Sequence, residues 1–273
     1  MSELQFCAGG KVFPLTRTYV MGILNVTPDS FSDGGKYLDP ERALARALEM
    51  KGEGADIIDI GGQSTRPGYT PVSPEEEWRR IGALLPAVAR DTGLAVSVDT
   101  FYPWVAEKAL AAGAHIINDV SGFGPEMMRA VSGSRCGCIV MHPGDERPGD
   151  ILPRVREFFQ TRLEAAQKAG ISPEELCFDP GIGFGKTMEE NLRLIAGVGE
   201  TKLPGRAFLM AASRKRVTGF LCGNPPFEQR LPATLAAHTA AVLAGADLVR
   251  VHDVKEAVQA ARMADGLKGA YFG

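Results

Sequence analysis

Eight times along the chain a short apolar or β-branched run gives way to a polar cluster, and a helix-like stretch follows. The runs cover 19–25, 56–61, 95–99, 115–120, 137–142, 176–179, 207–212 and 247–252. Most are continuously apolar, as expected of parallel strands covered on both faces. Helix signals fill the gaps. Asp39-Pro40 reads as an N-cap followed by proline at the first helical position. Ser73-Pro74-Glu75-Glu76 has the spacing of a capping box. The stretches 158–170 and 231–245 are rich in Ala, Leu and charge, and each ends at glycine.

Eight strand–helix units are the number that closes a parallel barrel, so the pattern predicts an α/β fold: one (β/α)8 TIM barrel with eight parallel strands, residues 1–273 forming a single domain. The competing open doubly wound sheet usually has fewer strands and one dominant glycine-rich turn. Here polar clusters end all eight strands. In a closed barrel the carboxyl ends of the strands carry the chemistry. The clusters therefore mark one functional rim.

Composition narrows the possibilities. The chain has 273 residues, 30 basic against 33 acidic, so no basic surplus points to nucleic acid. No run approaches the roughly 18 apolar residues of a membrane span, and the first eleven residues lack a signal-peptide core. Five scattered cysteines include Cys136 and Cys138 but no second group at metal spacing. They read as reduced thiols around a buried strand. These features predict a cytoplasmic protein.

The clusters differ in chemistry. After the first strand, Asn25, Asp29 and Asp33 offer hard oxygen donors in a Pro-, Gly- and Ser-rich loop, suited to Mg²⁺ shared with substrate phosphates. After the second, Thr65 and Arg66 can bond phosphate oxygens, Arg66 through two N–H groups at once. Asp99 and Asn118 end strands three and four and can wall a heterocycle, whereas Asp119 reads as a helix cap. Asp179 ends strand six beside a glycine loop carrying Phe184. That loop fails both the P-loop pattern, with Pro180 where glycine is needed, and the dinucleotide pattern, with Lys186 where Gly or Ala is needed. Strand alternation puts Arg250 and His252 on one face of strand eight. An inward arginine there is explained by an anionic ligand or by a buried ion pair. His115 and His238 read as structural. His142, after the wall residue Met141, has no obvious mate. No Ser-His-Asp order and no paired catalytic carboxylates stand out, so the rim suits departure of a phosphorylated leaving group better than nucleophilic hydrolysis.

Taken together, the segments 22–35, 59–68, 98–100, 117–119, 140–142, 179–186, 213–215 and 250–254 closely resemble the dihydropteroate synthase family, in the same order and across nearly the whole chain. The resemblance implies a pterin-binding barrel that joins 6-hydroxymethyl-7,8-dihydropterin diphosphate to p-aminobenzoate and releases pyrophosphate. By matched position it implies a pterin site of Asp99, Asn118, Asp179 and Lys215, walled by Met141. It implies a diphosphate clamp of Thr65, Arg66, Arg250 and His252, and a p-aminobenzoate side of Thr65, Pro67, Phe184, Ser213 and Lys215. Asn25 would hold Mg²⁺ with Asp33 as a possible second contributor. Lys215, Arg250, Asp99 and Asp33 would stand closest to the reaction. A homodimer formed through the last helices is also implied, with no membrane or nucleic-acid partner.

Some positions depart from the family pattern. Gln63 stands where Glu is common, Ala211-Ala212 where Gly usually precedes Ser213, and Arg216-Val217-Thr218 where Ser commonly follows Lys215. The stretch 143–148 also departs from the usual form. These changes flank the candidate ligands and bear on p-aminobenzoate affinity and sulfonamide response. Two rivals share the pterin site: a pterin-dependent methyltransferase and a non-catalytic pterin binder. The methyltransferase has no use for the diphosphate clamp of Arg66 and Arg250 or for the Mg²⁺ loop at Asn25, and retention of Asn25, Arg66, Lys215 and Arg250 together argues against the non-catalytic binder.

Overall fold

The computed structural model describes residues 4–26, 40–63 and 70–272. Two short antiparallel strands open the chain, β1 (Gln5–Ala8) and β2 (Lys11–Pro14), joined at Gly9-Gly10, both with positive φ. Eight parallel strands then close a barrel. They are β3 (Tyr19–Asn25), β4 (Ile57–Gly61), β5 (Ala95–Asp99), β6 (Ile116–Asp119), β7 (Gly137–Met141), β8 (Leu176–Asp179), β9 (Ala207–Met210) and β10 (Leu248–Val251). β10 pairs with β3, Arg250 opposite Met21, and so shuts the ring.

The intervening helices are α1 (Pro40–Glu53), α2 (Pro74–Ile81), α3 (Leu84–Thr92), α4 (Pro103–Ala111), α5 (Pro125–Val131), α6 (Ile151–Lys168), α7 (Met188–Ala196), α8 (Val198–Thr201), α9 (Arg216–Phe220), α10 (Leu231–Leu243) and α11 (Val254–Phe272). Proline lies in the first helical turn of α2, α4, α5 and α10, where its missing N–H costs nothing. Only half of the expected capping box forms at α2. The Ser73 hydroxyl accepts from the Glu76 N–H at 3.2 Å. The Glu76 carboxylate turns instead to Arg79 and Arg80, both at 2.7 Å, because two charged bonds outweigh one to the cap. Helix α6 begins seven residues before the predicted 158, capped by Asp150.

Strand alternation sorts the core into two layers. Outward residues such as Ile58, Ile60, Val96, Val98, Ile117, Val140, Phe178, Val249 and Val251 pack against the helices. Inward residues Tyr19, Met21, Ile57, Ala95, Ile116, Ile139, Cys177, Leu209 and Leu248 fill the lower barrel. The β1–β2 hairpin, which the hydrophobic pattern did not reveal, joins that inner layer through Phe6, Ala8 and Phe13 and plugs the floor. Gly137 makes room for it: a Cβ there would lie 2.6 Å from the Phe6 ring and 2.8 Å from the Ala8 methyl. With the floor sealed by apolar groups, the inward positions above them become polar. Asp59, Ser97, Asp99, Asn118 and Asp179 are all buried there.

Candidate active site

The mouth of the barrel is organised around Arg250. Its Nε donates to Asp59 at 2.6 Å and its terminal nitrogen to Asp99 at 2.8 Å. Asn118 adds a bond from its amide to Asp59 at 3.3 Å. These side chains come from β10, β4, β5 and β6, one from each strand, and each occupies an inward position. The sequence left Arg250 between an anionic ligand and an ion pair. The fold supplies the ion pair, with two buried carboxylates on one guanidinium. Burial pushes Asp99 up from its ordinary value, Arg250 opposes that, and the neighbouring Asp59 and Asp119 add to it.

Asp179, at the end of β8, accepts the Gly181 N–H at 2.7 Å. Gly181 has φ +70°, and a Cβ there would lie 2.1 Å from the His142 carbonyl, so only glycine fits this turn. Burial raises the Asp179 carboxyl, and the positive charges of Lys215 and Arg250 pull it back. Asp179 and Arg250 thus act on each other across one mouth, as a single functional rim requires. Lys215 donates to the Ile182 carbonyl at 2.6 Å, and its ammonium stands 4.9 Å from the Phe184 ring centre. Burial lowers its pKa to about 8, against the pull of Asp179. Three turn features aim it. Arg214 is held at φ 53° by its pair with Asp253 and by Thr234, which accepts its N–H. The His238 ring accepts the Ala212 N–H at 3.1 Å, the structural role expected of it.

Ser213 and His252 meet at 2.9 Å across the ends of β9 and β10. Met141 is buried and lies beside Asp179 in register, one inward position above Ile139. Asn25 ends β3, paired with Gly61, with its amide oxygen turned toward the β4 end. Asp33, Thr65, Arg66 and Pro67 lie outside the described residues. Asp119 caps no helix, since α5 has Gly124 at its N-cap without a side-chain bond; its carboxylate instead accepts the Ser121 and Phe123 N–H groups of the preceding turn at 2.7 and 2.9 Å. His142 finds its partner in the Gly144 N–H, which it accepts at 3.2 Å, and burial lowers its pKa to about 4. Strand β6 starts at Ile116, so His115 precedes it, its ring accepting the Val96 N–H. All five cysteines are free; Cys136, Cys138 and Cys177 are buried at the strands as expected, whereas Cys7 is half-buried and Cys222 is exposed.

Three polar groups escaped assignment from the sequence. Asp59 interrupts Ile57-Ile58-Asp59-Ile60, a polar residue at an inward position, and that interruption was its signal. Glu77 shares a face with Ile81 four residues on and is fully buried. It accepts from Thr100 at 3.0 Å, and burial pushes its pKa to about 7. Gln63 lies buried beside it, so the neutral amide at this departure from the family pattern spares Glu77 a second carboxylate. Lys186, to which the failed nucleotide motifs give no role, bonds three backbone carbonyls.

The donors suit a Mg²⁺ ion only in part. Among the described residues no three His, Cys, Asp or Glu side chains cluster to hold a metal. A single amide oxygen at Asn25 fits an ion that draws most of its ligands from water and substrate phosphates.

Comparison with known proteins agrees with this geometry. The model of the pterin binding enzyme family matches residues 21–252. Dihydropteroate synthase of Clostridium beijerinckii is 43% identical over 266 residues, covering 94% of this chain and 97% of the relative. The solved structure of Xanthomonas albilineans dihydropteroate synthase with 4-aminobenzoic acid superposes with a TM-score of 0.92 at 42% identity, covering 98% of this chain and 99% of that one. The same organism's enzyme in complex with 7,8-dihydropteroate gives a TM-score of 0.88 at 40% identity, covering 97% and 98%. The chain belongs to the pterin-binding enzyme family and, within it, to the dihydropteroate synthases.

Proposed function

We infer that the chain condenses 6-hydroxymethyl-7,8-dihydropterin diphosphate with p-aminobenzoate, yielding 7,8-dihydropteroate and pyrophosphate in folate biosynthesis. The observation that carries this is the convergence of Asp59, Asp99, Asn118, Asp179, Lys215 and Arg250 at one end of a closed barrel. A flat heterocycle with N–H donors on one edge and acceptors on the other matches that set. Asp179 spends one acceptor site on Gly181, and a carboxylate has about four, so it can still take two parallel N–H groups of the pterin. Asn118 and Asp99 border the ring. Lys215 donates to its acceptor edge.

The reaction needs no protein nucleophile. The bond between the pterin methylene and the diphosphate oxygen breaks, and its electron pair leaves with pyrophosphate. The electron-rich ring spreads the positive charge left on the methylene. The amine lone pair of p-aminobenzoate then forms the C–N bond, and a proton leaves that nitrogen. Arg250, which Asp59 and Asp99 hold at the mouth, would share its guanidinium with the leaving group where that group's charge grows. Thr65, Arg66 and His252 complete the diphosphate side in this reading. Thr65, Pro67, Phe184, Ser213 and Lys215 face the amine. Asn25, with Asp33, would hold Mg²⁺, which when bound neutralises diphosphate charge.

The barrel is the whole catalytic unit in this reading. No helix among the described residues is long and apolar enough to cross a membrane. Free cysteines suit a reducing compartment, so the cytoplasm is the expected site. Exposed Leu243, Met263 and Leu267 on α10 and α11 support homodimer contact through the last helices.

The test is a coupled pyrophosphate assay with and without p-aminobenzoate. Release that depends on the amine is expected. Release without it, or none with both substrates and Mg²⁺, would overturn the reading. For the order of bond breaking, positional isotope exchange without amine should scramble bridge and non-bridge oxygens.

A further inference from the structure

Lys186 spends its ammonium on the backbone. It donates to the His142 carbonyl at 3.1 Å, the Gly181 carbonyl at 3.0 Å and the Phe184 carbonyl at 2.9 Å. A lysine ammonium has three N–H donors. Those carbonyls occupy all three, so none is left for a substrate. His142 follows β7, whereas Gly181 and Phe184 lie in the loop after β8. One cation therefore ties two neighbouring rim loops together. Loss of water lowers its pKa to about 8, with Lys215 acting in the same direction and Asp179, Glu190 and Asp145 opposing. At neutral pH it keeps the proton that supplies the third donor.

The loop after β8 is gripped a second time, by Lys215 at the Ile182 carbonyl. Those two attachments are not equivalent. In the function proposed above, Lys215 turns its donors to the pterin ring. A ring acceptor then competes with the Ile182 carbonyl, and the loop loses part of that hold as substrate arrives. Lys186 has no such competing duty. Asn191 holds the loop at Gly183, accepting its N–H at 2.7 Å, one residue short of Phe184. The Phe184 carbonyl is left to Lys186.

We propose that Lys186 is a positioning residue that fixes the Phe184 ring while Lys215 serves the pterin, and thereby sets affinity for the arylamine rather than for the pterin diphosphate. This rests on the proposed function, because it takes Phe184 as the amine's wall. A purely structural clamp would move both substrates' parameters together or only the melting temperature. A positioning role on this loop separates them.

Lys186→Met keeps the apolar stem and removes the donors. The expected result is a rise of about tenfold or more in KM for p-aminobenzoate, with KM for the pterin diphosphate changed less than about threefold. Pterin affinity measured by calorimetry without amine should hold equally steady. If the methionine variant does not fold, Lys186→Gln, which keeps two N–H donors on a shorter stem, reads the same split. Equal shifts in both KM values, or no shift in either, overturn the role of Lys186. A wild-type enzyme that fails to turn over these substrates overturns the functional reading instead, so the two failures are distinct.

Discussion

Replacing Asp59 with alanine removes the hub of the barrel mouth. Asp59 is fully buried and holds Arg250 at 2.6 Å and Asn118 at 3.3 Å. Removing one partner of a buried ion pair costs about 3–5 kcal/mol. Arg250 would keep Asp99 at 2.8 Å, which places the expected loss near the lower end. By bond type, a charge-assisted bond contributes about 1.5–3 kcal/mol and the Asn118 bond about 1, which again sums to about 3 kcal/mol. Urea denaturation should show the unfolding free energy falling by that amount, through a lower midpoint at an unchanged slope. The cycle Asp59→Ala, Arg250→Met and the double variant should return a coupling of about 2 kcal/mol, because the pair is in direct contact. Calorimetry should also show weaker pterin binding, since Asn118 and Arg250 lose their common anchor. A loss below about 1 kcal/mol, or strict additivity in the cycle, would refute the claim that Asp59 organises the mouth.

Three further outcomes follow from the same geometry. Lys215 is lowered to about 8 from 10.5, so its charged form is lost as pH climbs past 8; kcat/KM for the pterin diphosphate should fall above that pH. In Lys215→Arg, whose guanidinium stays charged, the alkaline limb should move out of range, and identical limbs in the two proteins would contradict the assignment. Glu77 has its pKa raised to about 7 from 4.5, so the folded state holds the proton more tightly and stability falls as pH rises through that window. Glu77→Gln should therefore be more stable than wild type at pH 8 by about 1–3 kcal/mol, with a flatter stability profile between pH 4.5 and 7; thermal melts across that range check it. Chelation of Mg²⁺ should suppress turnover, and Asn25→Ala should raise the Mg²⁺ concentration needed for half-maximal rate. An unchanged requirement would remove Asn25 from the metal site.

The hydrophobic pattern carried the barrel because parallel strands buried on both faces need continuous apolar runs, and each run ends where the chain reaches the rim. Strand count and closure followed from eight repetitions of that unit, and the positions of Asp99, Asn118, Asp179 and Arg250 followed from where the runs stopped. Local chemistry also fixed the cap at Ser73, which accepts the Glu76 N–H, because it involves neighbours in sequence; Asp119, read as a cap, instead holds the turn before α5.

What escaped the sequence involves partners far apart along the chain. Arg250 and Asp59 are separated by 191 residues, and no local rule pairs them. Only closure of β10 onto β3 brings their strands to the same mouth. The floor plug is similar: Phe6 and Ala8 gain their place from the missing side chain of Gly137. Lys186 acquires its role from carbonyls whose directions depend on how two loops fold back, one of them through a turn that only Gly181 allows. Sequence thus determined which residues stand at the rim, since burial and periodicity act locally. Tertiary structure decided which charge faces which, since that depends on the closure of the ring.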